Sequence, residues 1–339
     1  MGRKKLISDL LNGKSIKIRN SDKIIKICNY NSISGYIYEN NKDRLPENLI
    51  EEFRKFYYSN YKRNMVLKKE LTLISNLLDK KKNKDVLLKG FSVIHLTEES
   101  LGSRFISDID ILTINQDYNI IKILKKRGYS EQYNIERKAY LETFHHYPPL
   151  VKDIHGTKVI FEVHKQIEQV RSPFKIVLEE LEFVDIEDVG LKSLSVEDMI
   201  IHLCVECGYD FFNLGLKRII DIGNLIEKNK NIEWSKIINK SLKWNCQSFV
   251  YKVLRLTRDI IELDIPDDKL RILRKNSRII ELTILKINEN NLFKTQSKTY
   301  FQMKRWIFKI LLARGIKDRF MLARHAYLML RARLRSVPE

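Results

Sequence analysis

Between residues 85 and 165 the spacing of apolar residues changes from two to 3.6 and back, and such alternation admits little but a sheet with helices packed against it. The pattern predicts a strand over 86–89, a short helix over 92–96, a strand over 108–113 and a helix over 117–127 that stops at Gly128. Tyr147-Pro148-Pro149 introduces a strand over 150–154. His155-Gly156 predicts the turn of a hairpin leading into 159–165. From Ser195 onward the chain reads as successive amphipathic helices, including 216–227, 234–243 and 249–263. The expected fold class is α+β: a mixed sheet with flanking helices, followed by a helical domain.

Four segments are expected: an N-terminal extension over 1–60, a catalytic domain over 61–190, a helical domain over 191–290 and a basic amphipathic helical tail over 291–339. Within the first, residues 1–46 support only a small strand or helix extension. Pro46 opens one helical stretch, and a second after Tyr61 puts Leu67, Leu71, Ile74 and Leu78 on one stripe. Lys80-Lys81-Lys82-Asn83-Lys84 then reads as a solvated helix end.

Chemistry concentrates on three short stretches. In Ser107-Asp108-Ile109-Asp110-Ile111-Leu112, strand alternation sends Ile109 and Ile111 into the core and turns Asp108 and Asp110 to one outer point. Two hard oxygen ligands on rigid backbone suit Mg2+, with Mn2+ as its substitute. Lys158-Val159-Ile160-Phe161-Glu162-Val163-His164-Lys165 puts Glu162 and His164 on one face, so a strand paired beside Asp108–Asp110 would complete a three-carboxylate cluster for divalent ions. The plain alternative makes the aspartates strand-end residues and Glu162 a solvated position. Lys89-Gly90 closes the first strand, where the backbone of Gly90 can approach phosphate oxygens. His164 reads equally as a partner of Glu162 or a satisfied histidine on a sheet face. Strand alternation lets at most one of His145 and His146 reach such a site, and Arg218 and Asp221, three apart on a helix, read as a weak surface pair.

The order of these features carries more than any one of them. Leu87-Leu88-Lys89-Gly90, Arg104-Phe105-Ile106-Ser107-Asp108-Ile109-Asp110 and Phe161-Glu162-Val163-His164 resemble a family of nucleotidyltransferases in the polymerase-beta-like superfamily. The similarity continues through Leu194-Ser195-Val196-Glu197-Asp198-Met199, Leu216-Lys217-Arg218-Ile219-Ile220-Asp221 and Ile232-Glu233-Trp234, covering roughly residues 65–260. The resemblance implies a polymerase-beta-like mixed sheet, and the match at Arg218 and Asp221 would make their helix nucleotide-facing instead of carrying a surface pair. It implies Asp108, Asp110 and Glu162 as catalytic metal ligands, and Lys89, Gly90, Ser92, Arg104, Ser107 and His164 as nucleotide-binding residues. One departure stands at the first turn, where Gly90-Phe91-Ser92 replaces the Gly-Ser or Gly-Gly of many superfamily members. The expected activity is Mg2+-dependent transfer of an NMP from an NTP such as ATP to an acceptor, with release of pyrophosphate. A small molecule, a peptide, a protein or an RNA end could each accept. The alternatives are a metal-dependent nuclease, which would need Lys165 on the site face, and a non-catalytic nucleic-acid or membrane-surface binding protein on a degenerate transferase fold.

Charge bears on partners. Lys and Arg number 62 against 43 Asp and Glu, a formal net charge of +19, which favours anionic ligands. From Lys294 onward twelve basic residues face only Asp318 and Glu339. In Lys304-Arg305-Trp306-Ile307-Phe308-Lys309 and Arg324-His325-Ala326-Tyr327 they interleave with apolar residues as in amphipathic helices. Such a tail could touch a polyanion or an anionic membrane surface. Composition favours a blander arrangement, with the apolar face packed on the helical domain and the charges solvated. Cys28, Cys204, Cys207 and Cys246 make no disulfide framework and fit a reducing cytoplasm. Cys204-Val205-Glu206-Cys207 sits on a helix opened by the expected capping box Ser195-Val196-Glu197-Asp198, so Cys207 reads as a core thiol and not as a zinc ligand. No apolar start after Met1-Gly2-Arg3-Lys4-Lys5 reads as a signal peptide.

Overall fold

Strand pairing places the two acidic strands side by side. The computed structural model describes residues 3–14, 21–78, 84–114, 119–132, 144–295 and 298–335. Its sheet consists of β1 (Asp85–Leu88), β2 (Ile109–Thr113), β3 (Ser130–Glu131), β4 (Leu150–Ile154), β5 (Thr157–His164), β6 (Phe183–Ile186) and β7 (Leu191–Leu194). They lie in the order β3-β4-β5-β2-β1-β7-β6. β2 runs parallel to β5 and antiparallel to β1, and β1 runs parallel to β7, so the sheet is mixed. In this register Asp110 stands beside Glu162, and Leu112 beside His164. The β4–β5 hairpin turns on His155 (φ 50°) and Gly156 (φ 78°), the two left-handed residues a tight hairpin loop requires.

Both faces of the sheet are covered. Leu87, Ile109, Ile111, Phe161 and Val163 pack against Leu67, Leu71 and Ile74 of α4 (Glu47–Ser75) and against Ile120 and Leu124 of α6 (Asn119–Lys126). Val86, Leu88, Leu112 and Leu194 join a larger core on the other side. That core includes Ile7, Ile24 and Ile37 from α1 (Arg3–Leu11), α2 (Ser21–Tyr30) and α3 (Ser34–Asn41), so the N-terminal extension is helical. It also includes Met199 and Leu203 of α7 (Val196–Tyr209), Leu216 and Ile219 of α8 (Gly215–Lys228), Ile237 of α9 (Trp234–Lys243) and Phe249 of α10 (Gln247–Ile261). After α11 (Asp267–Lys275) and α12 (Ile279–Asn288) come α13 (Lys298–Leu312) and α14 (Ile316–Arg335). The expected mixed sheet with flanking helices and a helical C-terminal region is the observed architecture.

Three local expectations need correction. Residues 47–75 form one helix instead of two stretches, because the inward positions between Phe53 and Leu67 are polar and break the apolar stripe. Asn60 donates to the carbonyl of Gly102 (3.1 Å), and Asn64 donates to those of Leu101 (2.7 Å) and Arg104 (2.6 Å). These bonds fix the loop that delivers Asp108. Ser195 caps α7 by accepting from the Asp198 amide (3.3 Å), but the return half of the box is not made. The Asp198 carboxylate instead accepts from the Glu182 amide (2.7 Å) and from Lys240. Third, the acidic face of β2 is an inner one, roofed by helices. Residues 80–83 of the lysine run and 117–118 of the expected helix lie outside the described residues.

Candidate active site

A cavity of about 530 Å³ opens where the acidic face of the sheet meets the helices. Its floor is β2 and β5. Asp110, His164 and Glu162 offer ligand atoms that all lie within 4.8 Å of one another. His164 Nε2 sits 2.9 Å from Asp110 Oδ1 and 3.9 Å from Glu162 Oε2. Asp108 lines the same cavity just ahead of β2, where its carboxylate accepts from the Ser107 hydroxyl (2.7 Å).

The β1–α5 turn, where α5 is Gly90–Thr97, aims a cation at this floor. Lys89 has φ 46°, a region that disfavours side chains, and such a conformation persists only where neighbouring contacts hold it. Its ammonium lies 3.3 Å from Asp110 Oδ1 and 2.7 Å from Glu206 Oε1. Arg218 closes the chain of charges with Nε 2.8 Å from Glu206 Oε2.

Burial sets the proton affinities. Glu162 is pushed up to about 8 by burial and by the charges of Asp110 and Asp108, and Asp108 is raised by burial and by Asp110. Burial would also push Glu206 up, but Arg218 and Lys89 override it and hold this carboxyl well below the usual range. Burial, aided by Lys89 and His146, holds His164 well below its ordinary value, so its imidazole is neutral. Among the described residues, the buried His164 Nδ1 atom has no hydrogen-bond partner.

This donor set fits a divalent cation. Three carboxylates crowd against one direct cation, Lys89. The protonation forced on Glu162 signals excess negative charge that a bound ion would relieve. Asp108, Asp110 and Glu162 offer the hard oxygens Mg2+ takes, and His164 adds a nitrogen more suited to softer ions.

Of the residues marked in the sequence, Lys89, Gly90, Arg104 and Ser107 line the cavity with Asp108, Asp110, Glu162 and His164. Ser92 does not. It is fully buried, and its hydroxyl donates to the Leu87 carbonyl (2.6 Å). Arg104 lies in the wall, ion-paired with Asp221 and 5% exposed. The expected Arg218–Asp221 surface pair is therefore replaced by a buried pair, Arg104–Asp221, and a half-buried one, Arg218–Glu206, because α8 turns both residues inward. Both His145 and His146 reach the cavity, since they lie in a bend and an isolated bridge outside a continuous strand. Their rings stand 4.9 and 5.4 Å from that of His164. Lys165 is not part of the wall.

Sequence reasoning missed His202 and Glu206 of α7, and Arg305, Trp306 and Lys309 of α13, all of which line the cavity. A signal existed in α7: His202 and Glu206, with Asp210 at the C-cap, recur every four residues along a helix that is mostly apolar after its acidic first turn. The Cys204–Cys207 spacing drew attention away from it, and both thiols are free and buried. The blander expectation for the tail is also corrected. α13 turns Arg305 and Lys309 inward while Met303, Ile307 and Leu311 lie on its outer side, because Asp210, Gln169 and Tyr209 give the cations partners inside.

A family described as uncharacterised nucleotidyltransferases matches residues 18–262, and the chain belongs to it. Membership makes the protein a transferase by class and implies a nucleoside triphosphate as substrate. No curated protein and no solved structure matches the chain. Among the described residues, no helix is long and apolar enough to cross a membrane.

Proposed function

We propose that the protein transfers a nucleoside monophosphate from an NTP to an acceptor hydroxyl in a polymerase-beta-like site. The observation that carries this reading is the register of β2 and β5, which sets Asp110 beside Glu162 at the floor of a 530 Å³ cavity with Asp108 in its wall. The acceptor oxygen would bond to the α-phosphorus as the bond to pyrophosphate breaks. The acceptor's proton passes to solvent. Catalysis of this kind rests on positioning and charge neutralisation. Mg2+ held by Asp108, Asp110 and Glu162 would supply Lewis acidity and neutralise phosphate charge. His164 fixes the orientation of Asp110, and Glu206 places Lys89 between the two carboxylates. Lys217 donates to the Phe105 carbonyl (2.6 Å) in the wall beside Arg218, and burial together with Arg104 and Arg218 pulls its amine well below the ordinary lysine range. The open turn at Gly90 leaves room for phosphate oxygens, whereas Ser92, bonded to Leu87, serves the turn itself. Four free, buried cysteines fit a reducing cytoplasm.

The test is calorimetric titration of ATP, GTP, CTP and UTP with and without Mg2+, on wild type and Asp110→Asn. The expected result is Mg2+-dependent binding of at least one NTP, weakened about a hundredfold or more by the substitution. Absence of NTP binding under every metal condition would overturn the reading. A nuclease would be favoured instead by Mg2+-dependent cleavage of DNA or RNA, but Lys165, the basic residue that alternative needs, lies outside the cavity wall.

A further inference from the structure

The cavity has a second end. Along α7, Glu206 belongs to the carboxylate end through Lys89, and Asp210, about 6 Å further on at one helical turn, belongs to the other through Arg305. There α13 contributes Arg305, Trp306 and Lys309 to the wall, and all three lie beyond residue 262, where the family match stops. Lys309 is 6% exposed. Its ammonium is hydrogen-bonded to Gln169 and sits over the rings of Tyr209 (4.7 Å) and Trp306 (5.7 Å). Among the described residues no carboxylate pairs with it. The nearby Asp210 already accepts from Arg305 and from Gln169 Nε2 (3.1 Å). Asp210 is thus already engaged by Arg305 and Gln169, and among the described residues Lys309 is left without a direct carboxylate partner. Two further donors in this wall are buried without hydrogen-bond partners among the described residues: Arg305 Nε and the hydroxyl of Tyr209, a residue only 1% exposed.

Burying an ammonium without a counter-charge is unfavourable, and so is leaving a buried donor unmade. A fold carries such a group at little advantage unless a ligand completes it. Two cations, two unmade donors and a flat indole fit an oxyanion beside a planar or apolar moiety, and charge-assisted bonds from Arg and Lys are the strong ones for phosphate or carboxylate. We propose that Arg305, Lys309 and Tyr209 form an oxyanion subsite, and that its ligand is an anionic group on the acceptor molecule. Burial pulls the Lys309 ammonium well below its ordinary range, and a bound anion would restore it. The proposal rests on the nucleotidyltransferase reading only in naming the acceptor as the source of the anion.

The probe is inorganic phosphate, titrated by calorimetry into the full chain in phosphate-free buffer, alone and with saturating Mg2+–ATP. Wild type, the double variant Arg305→Gln/Lys309→Met, and Lys309→Arg are compared. The expected result is phosphate binding that persists with Mg2+–ATP bound, falls about tenfold or more in the double variant, as loss of charge-assisted bonds predicts, and survives in Lys309→Arg. Phosphate that ATP displaces would assign the oxyanion to the nucleotide's own phosphates and overturn the acceptor as its source. Wild type that binds no phosphate, or a double variant that binds it unchanged, would overturn the subsite. If ATP does not bind but phosphate still does, and the double variant loses it, the subsite stands and the transferase reading falls. Folding is read separately. Lys309→Met alone should raise the melting temperature in anion-free buffer, because it removes an uncompensated buried charge. A lowered melting temperature would make Lys309 a structural residue and overturn the proposal.

Discussion

α7 and α13 wall the same cavity from opposite directions in sequence, and they are built on opposite plans. α7 is buried on most sides, with Met199, Leu203 and Cys207 in the core and a single polar row of His202 and Glu206 directed at the site. α13 places two cations and Phe308 inward while Met303, Ile307 and Leu311 are roughly half exposed. In α7 the core fixes the helix and the polar row is carried along. In α13 the site-facing Arg305 is itself part of what holds the helix, through its pair with Asp210, while Lys309 reaches only the neutral Gln169. A polar residue in an apolar helix is thus informative in one case, and an apolar residue in a basic helix is misleading in the other.

The comparison breaks first at Glu206. Its carboxylate is the sole partner common to Lys89 and Arg218 among the described ion pairs, and its side chain is only 15% exposed. Removing one member of a buried network leaves the others uncompensated, so Glu206→Gln should destabilise by about 3–5 kcal/mol at neutral pH, read by chemical denaturation. The pH dependence has a definite sign. Glu206 is held below its ordinary 4.5, so its contribution is complete above that value and is lost as pH falls through the depressed one. The gap between wild type and Glu206→Gln should therefore narrow below pH 4.5; a constant gap would mean that the charge is not what stabilises α7.

A smaller effect is expected on the inner side of α13. Phe308 packs against Phe211 with the rings tilted at 52° and their centroids 5.4 Å apart, and it is the apolar anchor beside Arg305 and Lys309. Phe308→Ala should cost about 2 kcal/mol, less than for a fully buried Phe, and loosen Arg305 and Lys309 together. Protease sensitivity confined to the C-terminal segment, with Mg2+-dependent NTP binding intact, is the expected pattern. NTP binding lost in step would mean that the carboxylate end depends on α13 and that the two walls are one unit.

What was legible follows from this contrast. The acidic floor could be read because strand alternation is local: Ile109 and Ile111 fix the face of Asp110, and Val159, Phe161 and Val163 fix the face of Glu162. The sheet and its hairpin were legible for the same reason. The length of α4 was not, since Asn60 and Asn64 spend their amides on the 101–104 loop, a partnership between segments about 40 residues apart. Nor was the pairing of Arg104 with Asp221 or of Lys89 with Glu206, which depends on how α7 and α8 settle on the sheet. The inward turn of α13 was hidden for a further reason. Hydropathy alone assigns charges to solvent, and the partners that reverse this, Gln169, Tyr209 and Asp210, lie about 100 residues earlier or more.

The smallest expected effect is the one that most sharpens the contrast. Ile307 adjoins Phe308 in sequence, yet it is 57% exposed and belongs to the outer row with Met303 and Leu311. If α13 is held from its inner side, Ile307→Ser removes little buried area and should change stability by no more than about 0.5 kcal/mol, the range usual for surface positions. An apolar residue in the conventional core-facing stripe of an amphipathic helix would instead lose a few kcal/mol on becoming polar. The ratio of the two effects, Phe308→Ala against Ile307→Ser in the same denaturation experiment, thus reports which way α13 faces without reference to any ligand. A large loss at Ile307 and a negligible one at Phe308 would rotate the helix and withdraw Arg305 and Lys309 from the cavity.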